Sequence, residues 1–170
     1  CGIAADDHKK ISEAVKDINV TISYVNGEQQ VFLNGENVTG QLRTEEVGNM
    51  ASASSVNGDV RKKLLELQRN LAASANVVMD GRDIGTVVLP NADVKVYLTA
   101  SVEVRAQRRY KELIEKGLSA DIEQIKKDIE ERDYRDMNRE IAPLRQAEDA
   151  ILVDSSDLTI EESAAAILSL

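Results

Sequence analysis

The stretch at residues 77–90, VVMDGRDIGTVVLP, decides how the rest of the chain is read. An apolar run ends on Asp80, and Gly81, Arg82, Asp83 and Gly85 follow at once. A short apolar run of this kind fits a strand buried on both faces of a parallel sheet. Its terminal carboxylate then stands at the carboxyl edge, where open α/β sheets bind ligands. Two similar runs lie downstream, at 94–99 and 150–154, with helical patterns between and after them. From Asn76 the predicted layout is strand, turn, strand, helix, helix, strand, helix, which is an α/β arrangement with helices flanking a parallel sheet.

Working outward, Ser101 caps a helix that Gly117 ends, and a long helical segment runs from about Asp121 to Ile141, stopped by Pro143. Thr159 and Glu162 form a capping box for the last helix. Upstream, Ile11, Ala14, Val15 and Ile18 have helical spacing behind Asp6 or Asp7. The period then changes to two. Val20, Ile22 and Tyr24 alternate, Asn26-Gly27 turns the chain, Val31 and Leu33 alternate, and Asn34-Gly35 turns it again. The pattern predicts a small antiparallel three-stranded meander. Thr44 opens a helix, and after Asn57-Gly58 another carries Val60, Leu64, Leu67 and Leu71 on one face.

The 170 residues suffice for one domain with a small appended subdomain. A net charge of -9 repels nucleic-acid polymers and anionic membrane surfaces. Yet eight of the eleven arginines lie between Arg82 and Arg145, a local concentration of cation that suits a small anion in a pocket. No run approaches the ~18 apolar residues of a membrane span. The single cysteine, Cys1, allows no intramolecular disulfide, and the chain reads as cytoplasmic. Its Cys-Gly start is read as the loss of an upstream segment, with a lipid-bearing Cys1 as the lesser alternative.

Three constellations carry candidate chemistry. Asp80, at the end of an apolar run, has the pattern of a carboxylate that holds Mg2+ through water in phosphate-transferring sheets; the alternative is a turn cap, with Asp83 paired to Arg82 or Arg61. Arg132, Arg135 and Arg139 fall within roughly 60° of one helical face and form a receptor for phosphate oxygens. The competing reading is a solvated helix laced by i,i+4 pairs such as Arg132 with Asp136. Ser52 and Arg61 flank the Asn57-Gly58 break. Arg108 and Arg109 read as solvent-facing helix arginines, with stacking on adenine as the alternative, and His8 as a surface helix residue.

Together, DGRDIGTVV, DVKVYLTAS followed by RAQRRYKEL, ERDYRDMNREIAPL and LNGENVTGQLRTEEV resemble the bacterial cytidylate kinases over essentially the whole chain. The resemblance implies a P-loop nucleoside-monophosphate-kinase-like α/β fold with a small antiparallel NMP-binding subdomain in residues 1–75. Residues 76–170 then make the remainder of the parallel-sheet core, with a helical lid at about 117–142. It implies ATP-dependent phosphoryl transfer to CMP or dCMP, with Mg2+. It assigns Ser52, Arg61 and Asp83 to the cytosine, Arg82, Arg132 and Arg139 to phosphate, and Asp136 to the sugar. The base chemistry agrees: cytosine offers an N4 donor beside N3 and O2 acceptors, which a carboxylate and a guanidinium match and uracil opposes.

One departure matters. The family's Gly-rich loop ending in Gly-Lys-Ser or Gly-Lys-Thr is absent, since no lysine here precedes serine or threonine. The expectation is an incomplete sheet, lacking the first strand and the P-loop, in a chain inactive by itself. It would be a fragment, a chain complemented by a partner, or a degenerate relative. The rival functional readings are a non-catalytic pyrimidine-nucleotide-binding module and, further off, an acidic helical interaction protein.

Overall fold

A computed structural model describes residues 2–4, 6–42 and 44–170. Cys1, with its possible lipid, and Arg43 of the LNGENVTGQLRTEEV motif lie outside the described residues. The chain divides into two compact units, Cys1–Val77 and Val78–Leu170.

In the first unit, Asp7 accepts from the Lys10 amide at 3.1 Å and starts α1, His8–Ala14, which tightens into a 3-10 turn at Val15–Asp17. Ile11 and Val15, one helical turn apart, are its buried apolar residues. The strands β1 (Val20–Val25), β2 (Glu28–Leu33) and β3 (Glu36–Asn37) form the expected antiparallel meander, with Val20 opposite Leu33 and Phe32 opposite Asn37. Both turns are Asn-Gly with positive φ at each central residue, 54° and 82° in one and 51° and 86° in the other. That left-handed pair matches the twist of a two-residue hairpin, which is why these dipeptides specify the register.

Two helices follow, α2 (Glu45–Ser54) capped by Thr44, and α3 (Gly58–Ser74) capped by Asn57. Asn57 is buried, and its side chain satisfies four groups. Its Oδ1 accepts from the Asp59 and Val60 amides, and its Nδ2 donates to the His8 carbonyl and the Ser12 hydroxyl. One side chain thus starts α3 and ties it to α1. Leu64 departs from the expected apolar face and is exposed, because α3 buries only part of its circumference.

In the second unit, β4 (Val96–Thr99) and β5 (Ile151–Asp154) pair in parallel, Val96 opposite Ile151 and Thr99 opposite Asp154. The crossover contains α4 (Val102–Glu115) and α5 (Ile122–Asn138), and α6 (Ile160–Leu168) follows β5. Ser101 caps α4. Gly117, at φ 73°, ends it by donating to Ile114 O while the Leu118 amide donates to Leu113 O. Thr159 and Glu162 make the reciprocal capping box of α6.

Three expectations are corrected here. Residues 77–80 run without a ladder partner among the described residues, so they form no strand; a strand exists only by pairing, and Val78 stands fully in solvent. Nor are the two strands buried on both faces: Leu98 and Leu152 are exposed, while buried apolar residues of the unit are Val88, Ala100 and Ala106. Finally, the long helix stops at Asn138, short of Ile141. Arg139 is already extended, Ala142 takes a φ of 51°, and the Leu144 amide donates back to Asp136 O at 2.8 Å.

Candidate functional site

The charged residues of DGRDIGTVV lead into a π-helical turn, Ile84–Val88, which the sequence pattern did not indicate. Asp83 stands at its N-terminus, with its carbonyl accepting from both the Val87 and Val88 amides at 2.9 and 3.2 Å. Leu89 donates to Ile84 O, and Val88 is buried beneath the turn. A five-residue run containing glycine and paired β-branched residues has no helical periodicity to read, so only tertiary support reveals it. Turns of this rare type recur at functional sites because they aim a side chain out of the regular helical path.

Helix α5 brings the opposing charges. Its covered positions are 122, 125, 126, 129, 133 and 136, the three-and-four spacing of one helical face. That face carries Ile122, Ile125 and Ile129 and, in its last turns, Asp133 and Asp136, with the arginines beside it. Asp136 accepts from Arg82 Nε at 3.0 Å and lies 3.9 Å from Arg132 Nε and 4.0 Å from Arg139 Nη1. Arg139 Nη2 is also 3.8 Å from Asp83 Oδ1, and its Nε donates to the Ala142 carbonyl at 2.7 Å.

Arg82, Asp83, Arg132, Asp136 and Arg139 therefore form one cluster, centred on Asp136. Among these five residues, three guanidiniums stand against two carboxylates. The side chains of Asp83, Asp136 and Arg139 keep 15–17% exposure, whereas those of Arg82 and Arg132 keep 44% and 55%. The former are the frame, and the latter are open to a solvent-borne anion. A planar guanidinium held in place by a carboxylate retains further N–H donors for phosphate oxygens.

Arg135 is the member of the expected stripe that stays apart. Its Nε donates to the Glu131 carbonyl, one turn back on α5, on the exposed flank beside Tyr134. Arg139 lies just past the end of α5 in extended backbone, and from there it reaches both Asp136 and Asp83. Asp80 is exposed and its carboxylate has no polar partner among the described residues.

Ser52 and Arg61 stand in the first unit, and Ser55 links them. The Ser55 hydroxyl donates to the Ser52 carbonyl at 2.7 Å, and its own carbonyl accepts from Arg61 Nη1 at 3.4 Å. Of the two arginines read as solvent-facing, Arg109 pairs with Glu112 at 2.9 Å. Arg108 instead donates to the Ser155 and Leu158 carbonyls, at 2.6 and 3.1 Å, binding α4 to the turn after β5. His8 is exposed at the start of α1.

No helix among the described residues is long and apolar enough to cross a membrane. The family model described as cytidylate kinase matches residues 2–170. The chain is 47% identical over 169 residues to the cytidylate kinase of Leuconostoc mesenteroides, covering 99% of this chain and 75% of that protein. It is 49% identical over 168 residues to that of Caldicellulosiruptor bescii, with 99% and 74% covered. With that of Pasteurella multocida it shares 47% over 167 residues, 98% and 74% of the two chains.

Proposed function

The chain belongs to the cytidylate kinase family of nucleoside monophosphate kinases, and from that premise we propose that its arginine cluster holds the phosphate of CMP or dCMP as acceptor of a phosphoryl group from ATP. The observation that carries the reading is the gathering of Arg82, Arg132 and Arg139 around Asp136, with Asp83 on Arg139. A nucleoside monophosphate offers a dianionic phosphate, a sugar with hydroxyl groups and a base, and the cluster has a group for each. Arg82 and Arg132, the exposed pair, take phosphate oxygens. Arg139 lies between Asp136 and Asp83, at one end neighbouring the sugar's acceptor and at the other the base's.

In this reading Asp136 accepts from a sugar hydroxyl, and Asp83 accepts from the N4 amino group of cytosine. Ser52 and Arg61 are assigned to the base by the family resemblance. Against uracil, Asp83 would oppose a carbonyl oxygen, and a buried opposed pair discriminates strongly.

For transfer, a phosphate oxygen of CMP forms a bond to the γ-phosphorus of ATP as the bond to the bridging oxygen breaks, yielding CDP and ADP. The protein's part is alignment and fixed positive charge against the oxygens of both groups. Loss of one such cation costs on the order of 10²-fold in rate. Segment 117–142, built on α5, is assigned the lid, whose closure excludes water as a competing acceptor. Asp80 fits Mg2+, which binds proteins through one or two carboxylates and keeps waters and phosphates as its other ligands. When bound, the ion neutralises phosphate charge. Residues 1–75 are assigned the monophosphate-binding subdomain.

The rival reading is a module that binds the nucleotide without turnover. Calorimetry with CMP, UMP and AMP, run beside an ADP-release assay, separates the two. Selective CMP binding is expected in either case; with the ADP-release assay run on the full-length protein, ADP release marks the kinase, and its absence marks the module. Equal affinity for the three monophosphates would sink both.

A further inference from the structure

The covered flank of α5 carries a second carboxylate, Asp133, one turn before Asp136. Arg105 of α4 grips it with two parallel hydrogen bonds, Nη1 to Oδ1 at 3.0 Å and Nη2 to Oδ2 at 2.6 Å. The third guanidinium nitrogen, Nε, donates to the carbonyl of buried Ala100, directly after β4, at 2.9 Å. All three elements of the crossover's start, the end of β4, the first turn of α4 and the face of α5, meet at this one side chain.

We propose that Arg105 and Asp133 are positioning residues that set the rotation of α5 about its axis, and so hold Asp136 and Arg132 toward Arg82. The geometry leaves little freedom. Asp133 and Asp136 are three residues apart, about 60° around the helix, so a turn of α5 that released Asp133 from Arg105 would carry Asp136 away from Arg82 Nε. A bidentate fork fixes orientation as well as distance, which a single ammonium contact does not. Arg82 approaches Asp136 from the segment before the π-helical turn, and Arg105 approaches Asp133 from α4. The helix is therefore pinned at two successive turns by guanidiniums from two different elements.

The bearing on phosphate handling rests on the function proposed above, whereas the geometric coupling does not. The test uses Asp133→Asn, which keeps the shape and removes the charge, and Arg105→Lys, which keeps the charge and removes the fork. The Nε–Hε resonances of Arg82 and Arg139, observed by NMR in the 170-residue chain and assigned by substitution, report whether the cluster stays assembled. In both variants they are expected to shift toward free-arginine positions; unchanged resonances overturn the proposal whatever the nucleotide. By calorimetry, CMP affinity is expected to fall about tenfold and cytidine affinity by a smaller factor, since Asp136 faces the sugar while Arg82 and Arg132 face the phosphate that cytidine lacks, and binding groups must be held to within roughly 0.5 Å. Equal losses for CMP and cytidine would mean a merely structural pair and also overturn it. Should the unaltered chain fail to prefer CMP over UMP, the functional reading falls while the resonances still decide the coupling.

Discussion

Asp136 is the residue on which the cluster turns, because its carboxylate lies within 4.0 Å of three separate arginines. Residues around it have separable duties, and substitution separates them. Asp83→Ala removes the carboxylate assigned to cytosine N4, so discrimination of CMP from UMP is expected to shrink by about 10²-fold or more. Unchanged selectivity in competition calorimetry would remove Asp83 from the base. Arg139→Ala is expected to weaken CMP more than cytidine, because its charge is assigned to the phosphate; equal losses would assign it a structural role. Most of this cluster was legible from the sequence, since Arg82, Asp83, Arg132, Asp136 and Arg139 lie in two short motifs. Asp133 was not, for its partner Arg105 is 28 residues away and no local pattern joins them.

At the scale of elements, end groups and clasps decide where each segment starts. Asn57 supplies both an N-cap and a buried tie to α1, and its replacement leaves the His8 carbonyl without that donor. Asn57→Ala is expected to lower stability by about 2 kcal/mol, combining cap loss with an unsatisfied acceptor, as read by urea unfolding. In the other unit, Lys95 at the start of β4 reaches both the Pro90 carbonyl and Asp149, 2.6 Å away just before β5. That hydrogen bond holds the Asp149 carboxyl below its ordinary pKa of 3.8. A depressed folded-state pKa stabilises above the unfolded value and ceases to do so as pH falls through the folded one. Melting temperature is therefore expected to lose a contribution below about pH 4. Asp149→Asn should flatten that part of the profile, and an identical acid limb in the variant would exclude the clasp. The helices capped by Thr44, Asn57, Ser101 and Thr159 and both hairpins were readable because caps and Asn-Gly turns act locally. The π-helical turn and the early end of α5 were not, as each depends on what the backbone meets after the turn.

For the molecule as a whole, the net charge of -9 and the arginine cluster act in opposite directions on an anionic ligand. Salt screens the long-range repulsion and the short-range attraction alike, but groups in contact are screened least. Raising ionic strength is expected to weaken CMP binding only modestly, and cytidine binding hardly at all. A steep loss for both would place the binding energy elsewhere than at the cluster. The sequence by itself determined the family, the α/β class, the three-stranded meander, the helix caps and the identity of the charged residues, because periodicity, turn chemistry and motif order are properties of neighbouring residues. Tertiary structure alone decided that residues 77–80 go unpaired and that Asp133 and Asp136 of α5 meet Arg105 and Arg82. It also decided that Arg139 leaves the helix to join Asp136 while Arg135 does not. Pairing, burial and the choice among equivalent helix faces depend on partners distant in the chain, and no local pattern specifies them.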